Sequence, residues 1–135
     1  MNADALHAVA IYAGANGLIL LGLAVHVGRT RQLRGISIGD GGDAEMVRAM
    51  RAQANFTEYV PLCLLLLALM ALIGTPVWLV HLFGLALTLG RVLHGWHFAR
   101  AGSPGWMRSA GATLTLLVLL GTSAGLVAHG IVGAG

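Results

Sequence analysis

The sequence predicts an all-α membrane protein, a bundle of four transmembrane helices, and three observations carry that prediction. The chain is 57% hydrophobic and 10% charged, with a mean hydropathy of +0.81, where a soluble domain carries about 25% charged residues. Four apolar stretches are each long enough to cross a hydrocarbon core of roughly 30 Å. The arginines gather between these stretches and at their ends, with Arg91 alone placed deep in one of them. A chain of 135 residues has no single core large enough to absorb so much apolar surface unless lipid covers part of it.

The first span runs from about Ala5 to Val27. The second begins with a polar approach over Ala44 to Asn55 and turns apolar from Phe56 to Ile73, so it covers about 44–73. Asp40, Gly41, Gly42 and Asp43 precede it, and an aspartate there caps the free N–H groups of the first turn. Gly74, Thr75 and Pro76 make a short turn, with Thr75 and Pro76 read as N-cap and first helical residue of a third span over 76–98. Helices joined so tightly must lie antiparallel as neighbours. Ala101 to Gly105, with Ser103 before Pro104, is the next turn, and the last span covers 106–132. The whole chain, 1–135, reads as one domain with no soluble module, long linker or repeat.

Arg29, Arg31, Arg34, Arg48 and Arg51 lie between spans one and two; Arg100 and Arg108 lie between spans three and four. Excess arginine in loops marks the cytoplasmic side, which puts both termini outside. Trp78 near one boundary and Trp96 and Trp106 near the other suit interfacial aromatics. The net charge of +3 and pI of about 10.0 do not indicate nucleic-acid binding, because all the basic residues are dispersed arginines that form no stripe beside aromatics. Cys63 stands alone in an apolar run, which excludes a disulfide framework or thiolate metal site. Asp4 stands where a cleaved signal peptide has a basic region, so none is expected. Gly14, Gly17 and Gly22, and the Gly121–Gly125 pair, are small-residue patterns that suit close helix approach, inside the bundle or between subunits.

The informative stretch is Arg48-Ala-Met-Arg51-Ala-Gln-Ala-Asn55-Phe-Thr-Glu58-Tyr59-Val-Pro61. Arg51, Asn55 and Glu58 are spaced by four and three and share one helix face, with Arg48 a turn earlier and Tyr59 at the border. Glu58 is the only acid within the apolar part of a span, and such a group is costly in a membrane unless it serves a partner or a hydrated site. Pro61 removes a backbone donor and is expected to bend the helix there. On the third helix Arg91, His94 and Phe98 share a face. Arg91 is deep enough to need a counter-charge, so Glu58 and Arg91 read either as a structural ion pair or as parts of a site. Arginines from three segments (Arg29 or Arg31, Arg51, Arg108) beside Asn55, Glu58 and Tyr59 suit a small molecule with several carboxylates and one ammonium group. Haem held by His26 and His94 is a weaker reading, the glycines at 35–42 lack the lysine of a phosphate loop, and no Ser-His-Asp set is visible.

Arg51-Ala-Gln-Ala-Asn55-Phe-Thr-Glu58-Tyr59-Val-Pro61 resembles the second-helix signature of the MAPEG family, the membrane-associated proteins in eicosanoid and glutathione metabolism, and in particular its leukotriene C synthase branch. Gly90-Arg91-Val-Leu-His94 is similar to the third-helix segment of the prostaglandin E synthase branch, and Arg108-Ser109 falls where that branch has a functional arginine and serine. Ile36-Ser-Ile-Gly-Asp40-Gly-Gly-Asp43 resembles the bacterial inner-membrane members. The resemblance implies a homotrimer in the inner membrane, with glutathione as co-substrate bound between neighbouring subunits towards the cytoplasm. It implies that Arg51, Asn55, Glu58 and Tyr59 hold glutathione, with Arg29 or Arg31 from the rim and Arg48, Arg91, His94 and Ser109 nearby, and that Arg108 sits at the sulfur. Phe98 and His94 stand where synthases of the family have tyrosines.

The implied chemistry is physically sound. A thiol pKa of about 8.5 leaves little thiolate at neutral pH, and a guanidinium at the sulfur lowers it while staying charged when partly desolvated. The expected activity is a glutathione-dependent membrane transferase, with peroxidase activity as a variant, acting on lipophilic electrophiles from the bilayer. The alternative is a non-catalytic glutathione- or lipid-binding regulator. A transporter ranks lower, because the outer half of the spans carries no second charge cluster.

Overall fold

In a computed structural model, which describes residues 3–133, the chain folds into four helices: α1 (Ala3–Arg34), α2 (Ala44–Leu72), α3 (Val77–Ala99) and α4 (Gly105–Gly133). The two outermost residues at each end of the predicted domain lie outside the described residues. All four helices are long and apolar enough to cross a membrane. Packing is not a closed square. The α2–α3 hairpin is central, α1 and α4 each pack on both of its helices, and among the described residues α1 and α4 do not pack on each other.

The helix ends explain where these boundaries fall. α1 continues well past its apolar run, since Arg29, Arg31, Gln32 and Arg34 are good helix formers. It stops at Gly35, whose φ of +65° closes the helix with Gly35 N–H on Gln32 O and Ile36 N–H on Arg31 O. α2 starts at Asp43, as its sequence suggested, with Oδ1 accepting from Met46 N at 2.8 Å. Replacing this cap by alanine is expected to cost about 1 kcal/mol. Faster amide exchange confined to the first turn of α2 in Asp43→Ala would register that loss.

The α2–α3 turn differs from its expected form. Gly74 at φ +89° donates to Ala71 O and Thr75 N–H to Met70 O, so Thr75 is consumed in closing α2. Pro76 is therefore the cap residue of α3, with no side-chain hydrogen bond, and the helix begins at Val77. Pro61 lies within α2, which runs unbroken through it.

Small residues pack the bundle at Gly121, which the sequence pattern marked and where a Cβ would meet the Phe83 ring at 2.8 Å, and at positions the patterns did not mark. A Cβ on Gly111 would meet Gly90 O at 2.5 Å and His94 Cβ at 2.8 Å, so α3 and α4 touch backbone to backbone there. Gly84 of α3 takes the ring of Tyr12 from α1 against its bare backbone. Gly14, Gly17, Gly22 and Gly125, by contrast, have no atom within 4 Å of an added Cβ among the described residues. Polar bonds also join α1 to α3: Tyr12 hydroxyl with His81 Nδ1 at 2.9 Å, and the buried Asn16 Nδ2 donating to Thr88 Oγ1 at 2.9 Å. Such interhelical bonds average about 0.6 kcal/mol in membrane proteins, so close packing contributes most of the cohesion.

Candidate functional site

The site grows from the Gly90–Gly111 contact. Because no side chain separates α3 from α4 there, Arg91, the next residue of α3, is inserted between α2 and α4 and is 1% exposed. Its Nη1 donates to Asn55 Oδ1 at 2.9 Å and its Nη2 to Gly111 O at 3.3 Å; its Nε is buried without a partner among the described residues. A buried guanidinium at membrane depth is thus held by neutral acceptors. Glu58 is not its counter-charge. The Glu58 carboxylate faces outward, its side chain 49% exposed, with Arg51 Nη1 of its own helix at 4.0 Å. The reason is angular: Asn55 turns toward α3, while Arg51 and Glu58 stay on the outer flank of the stripe.

Arg91 has a second effect. By occupying Oδ1 it fixes the Asn55 amide so that its Nδ2 donors are left for another acceptor. Asn55 lies in the wall of a groove of about 860 Å³ between α2, α3 and α4, together with Arg51, His94, Phe98, Arg108 and Ser109. Without the open solvent at its mouth the cavity is about 430 Å³, within the ~300–1,000 Å³ typical of small-molecule sites. A smaller recess of about 250 Å³ continues from it toward mid-membrane, bounded by Tyr59, Arg91 and Thr115 and sharing Asn55, Ala112 and Leu116. The groove therefore has two exposed arginines and an amide donor at one end and an apolar wall along α4. His94 is buried behind it with its ring 4.9 Å from Phe98.

Of the residues singled out in the sequence, Arg51, Asn55, His94, Arg108 and Ser109 share the groove, and Tyr59 and Arg91 its deeper recess. Arg29, Arg31, Arg48 and Glu58 line neither. Arg31 binds Gly39 O at 2.8 Å and so staples the α1–α2 loop, and Arg29 is exposed. Arg48 donates to His97 O at 2.8 Å with its guanidinium carbon 5.6 Å from the Phe98 ring centroid. His26 and His94, paired in the haem reading, line separate cavities. Sequence reading missed the α4 wall of Ala112, Thr115 and Leu116, although steps of three and four from Arg108 and Ser109 place them on that face.

Fold and groove together define a four-span α-helical membrane protein with an arginine-bearing groove that opens between its helices. The chain belongs to the MAPEG family, which matches residues 9–128. It is 35% identical over 89 residues to "Inner membrane protein YecN" of Escherichia coli strain K12, covering 66% of this chain and 68% of that protein. The same figures hold for the protein of that name in Escherichia coli O6:H1 strain CFT073.

Proposed function

We propose that this chain is a glutathione-dependent transferase of the inner membrane that converts glutathione to its thiolate and delivers it to lipophilic electrophiles or hydroperoxides. The observation that carries the reading is the joining of Arg51, Asn55 and Arg108 in one groove that continues into an apolar recess at membrane depth. Glutathione has two carboxylates, an ammonium and a thiol. Arg51 and the free amide donors of Asn55 suit the carboxylates, and Arg108 at the start of α4 suits the sulfur. The name of the relatives places them in an inner membrane, and the arginine-rich loops support a groove that opens to the cytoplasmic side in this reading.

The active form in this reading is a homotrimer. Arg51 and Glu58 are 59% and 49% exposed on the outer face of a membrane-spanning helix, where lipid contact is costly for ionised groups. A neighbouring copy covers that face, and Arg29 at the end of its α1 supplies the second arginine of the rim. Glu58 then meets the glutathione ammonium.

Glutathione binding to the detergent-purified protein tests this directly, followed by ultraviolet absorbance of the thiolate and by conjugation of a generic aromatic electrophile. Saturable binding at millimolar glutathione or below is expected. Glu58→Gln should weaken it by about tenfold, the loss of one charge-assisted bond of roughly 1.5 kcal/mol. Absence of binding would overturn the reading. Binding without any conjugation would support the non-catalytic regulator instead, the role that Phe98 favours because it offers no hydroxyl to the groove.

A further inference from the structure

A second polar cavity lies on the other side of α2, and the proposed function does not use it. This crevice of about 570 Å³ sits at the arginine-rich end of the bundle. Its walls include His26 and Thr30 of α1, Glu45 and Arg48 of α2, Phe98 of α3 and Gly102 of the α3–α4 turn. His26 and Thr30 are four apart on α1, and Glu45 and Arg48 are three apart on α2, so each pair presents one face to the cavity.

Arg48 is positioned before any ligand arrives. One N–H binds His97 O at 2.8 Å and the guanidinium lies over Phe98 at 5.6 Å. The remaining N–H groups of the fork have no hydrogen-bond partner among the described residues. A guanidinium held at one corner with its other donors free is suited to two oxygens of a phosphate. His26 adds a ring nitrogen that makes no hydrogen bond within the described residues. Glu45 supplies the opposite charge. Its Oε2 is bound by Arg34 Nη2 at 2.6 Å, which fixes the carboxylate and leaves Oε1 for a second cation. Side chains three apart on a helix have Cβ atoms about 5–6 Å apart, a spacing that suits a phosphate and an ammonium joined through a two-carbon link.

We propose that this crevice binds an ethanolamine phosphate group, with its phosphate on Arg48 and His26 and its ammonium on Glu45. The two sources of that group are a phosphatidylethanolamine headgroup and free phosphoethanolamine. The bundle-end location, beside the half-exposed Trp96 with Arg100 stacked 4.9 Å from its ring centroid, is at headgroup depth and makes the lipid the expected occupant.

Native mass spectrometry of the delipidated full-length protein, titrated with phosphatidylethanolamine, phosphatidylglycerol and phosphatidylcholine, tests this. Phosphatidylethanolamine should bind about tenfold more tightly than either other lipid. Arg48→Gln should remove that preference, and His26→Leu, which leaves the Arg48–His97 link in place, should reduce it. Arg100→Gln, an exposed arginine at the same end but outside the crevice, should leave it unchanged. Displacement of the lipid by an equal concentration of soluble phosphoethanolamine would assign the pocket to the free compound, and retention would assign it to the headgroup. Equal binding of the three lipids, unchanged selectivity in a folded Arg48→Gln protein, or an equal loss in Arg100→Gln would overturn the proposal.

Discussion

Arg108→Ala is expected to abolish the thiolate absorbance of bound glutathione and to lower the conjugation rate by about a hundredfold, while the protein still folds and binds glutathione. The magnitude follows from the thiol itself. Holding a pKa two units below its ordinary value takes about 2.7 kcal/mol of preferential thiolate stabilisation, and loss of one preorganised electrostatic contact typically costs ~10²-fold in rate. Folding is spared because Arg108 is exposed in the first turn of α4 and makes no ion pair among the described residues. Arg108→Lys should recover part of the activity, since it restores charge without the planar fork. The pH–rate profile distinguishes this role from simple binding: in Arg108→Ala the rate should rise through the ordinary thiol range near pH 8.5. A variant that kept its thiolate signal and its turnover would remove Arg108 from the chemistry.

Gly111→Ala should destabilise the bundle and disturb the groove together. The added methyl would lie 2.5 Å from Gly90 O, 2.8 Å from His94 Cβ and 2.9 Å from His94 N. Two of these are backbone atoms and the third is bonded directly to the backbone, so α3 and α4 must separate. Overpacking of this kind costs about 1–3 kcal/mol. Separation also lengthens the bond from Arg91 Nη2 to Gly111 O, already 3.3 Å, and frees Asn55 from the contact that orients its amide. Lower thermal stability and weaker glutathione binding should therefore appear together. Gly130→Ala on the same helix, with no atom near its added methyl, controls for helix propensity and should be neutral or slightly stabilising. Equal losses at the two positions would show that backbone contact at Gly111 is not the cause.

The four spans were legible because the bilayer imposes a length and a polarity that a single sequence displays directly. The start of α2 was legible in the same way, since Asp43 caps its own helix through local bonds. The Arg51, Asn55 and Glu58 stripe was visible from helical periodicity, and the position of Arg108 from resemblance. What did not appear was partnership. Sequence reading offered Glu58 as the counter-charge of Arg91, being the only acid at that depth, whereas α2 is rotated so that Asn55 meets Arg91 and Glu58 faces outward. It grouped Arg48 with Arg51 because they are three apart, yet the same rotation sends Arg48 to the crevice against α1 and α3. Gly84, Gly90 and Gly111 gave no pattern, because their role depends on a backbone or ring arriving from another helix.

The amino-acid sequence by itself determined that this protein has four membrane spans, that α2 starts at an aspartate cap, and which polar residues the membrane has to accommodate. The tertiary structure decided which of those residues face one another. Hydrophobicity and capping are properties of consecutive residues, whereas the rotation of each helix about its axis is set by close packing at glycines and by bonds such as Arg91 to Asn55, between residues far apart in the chain.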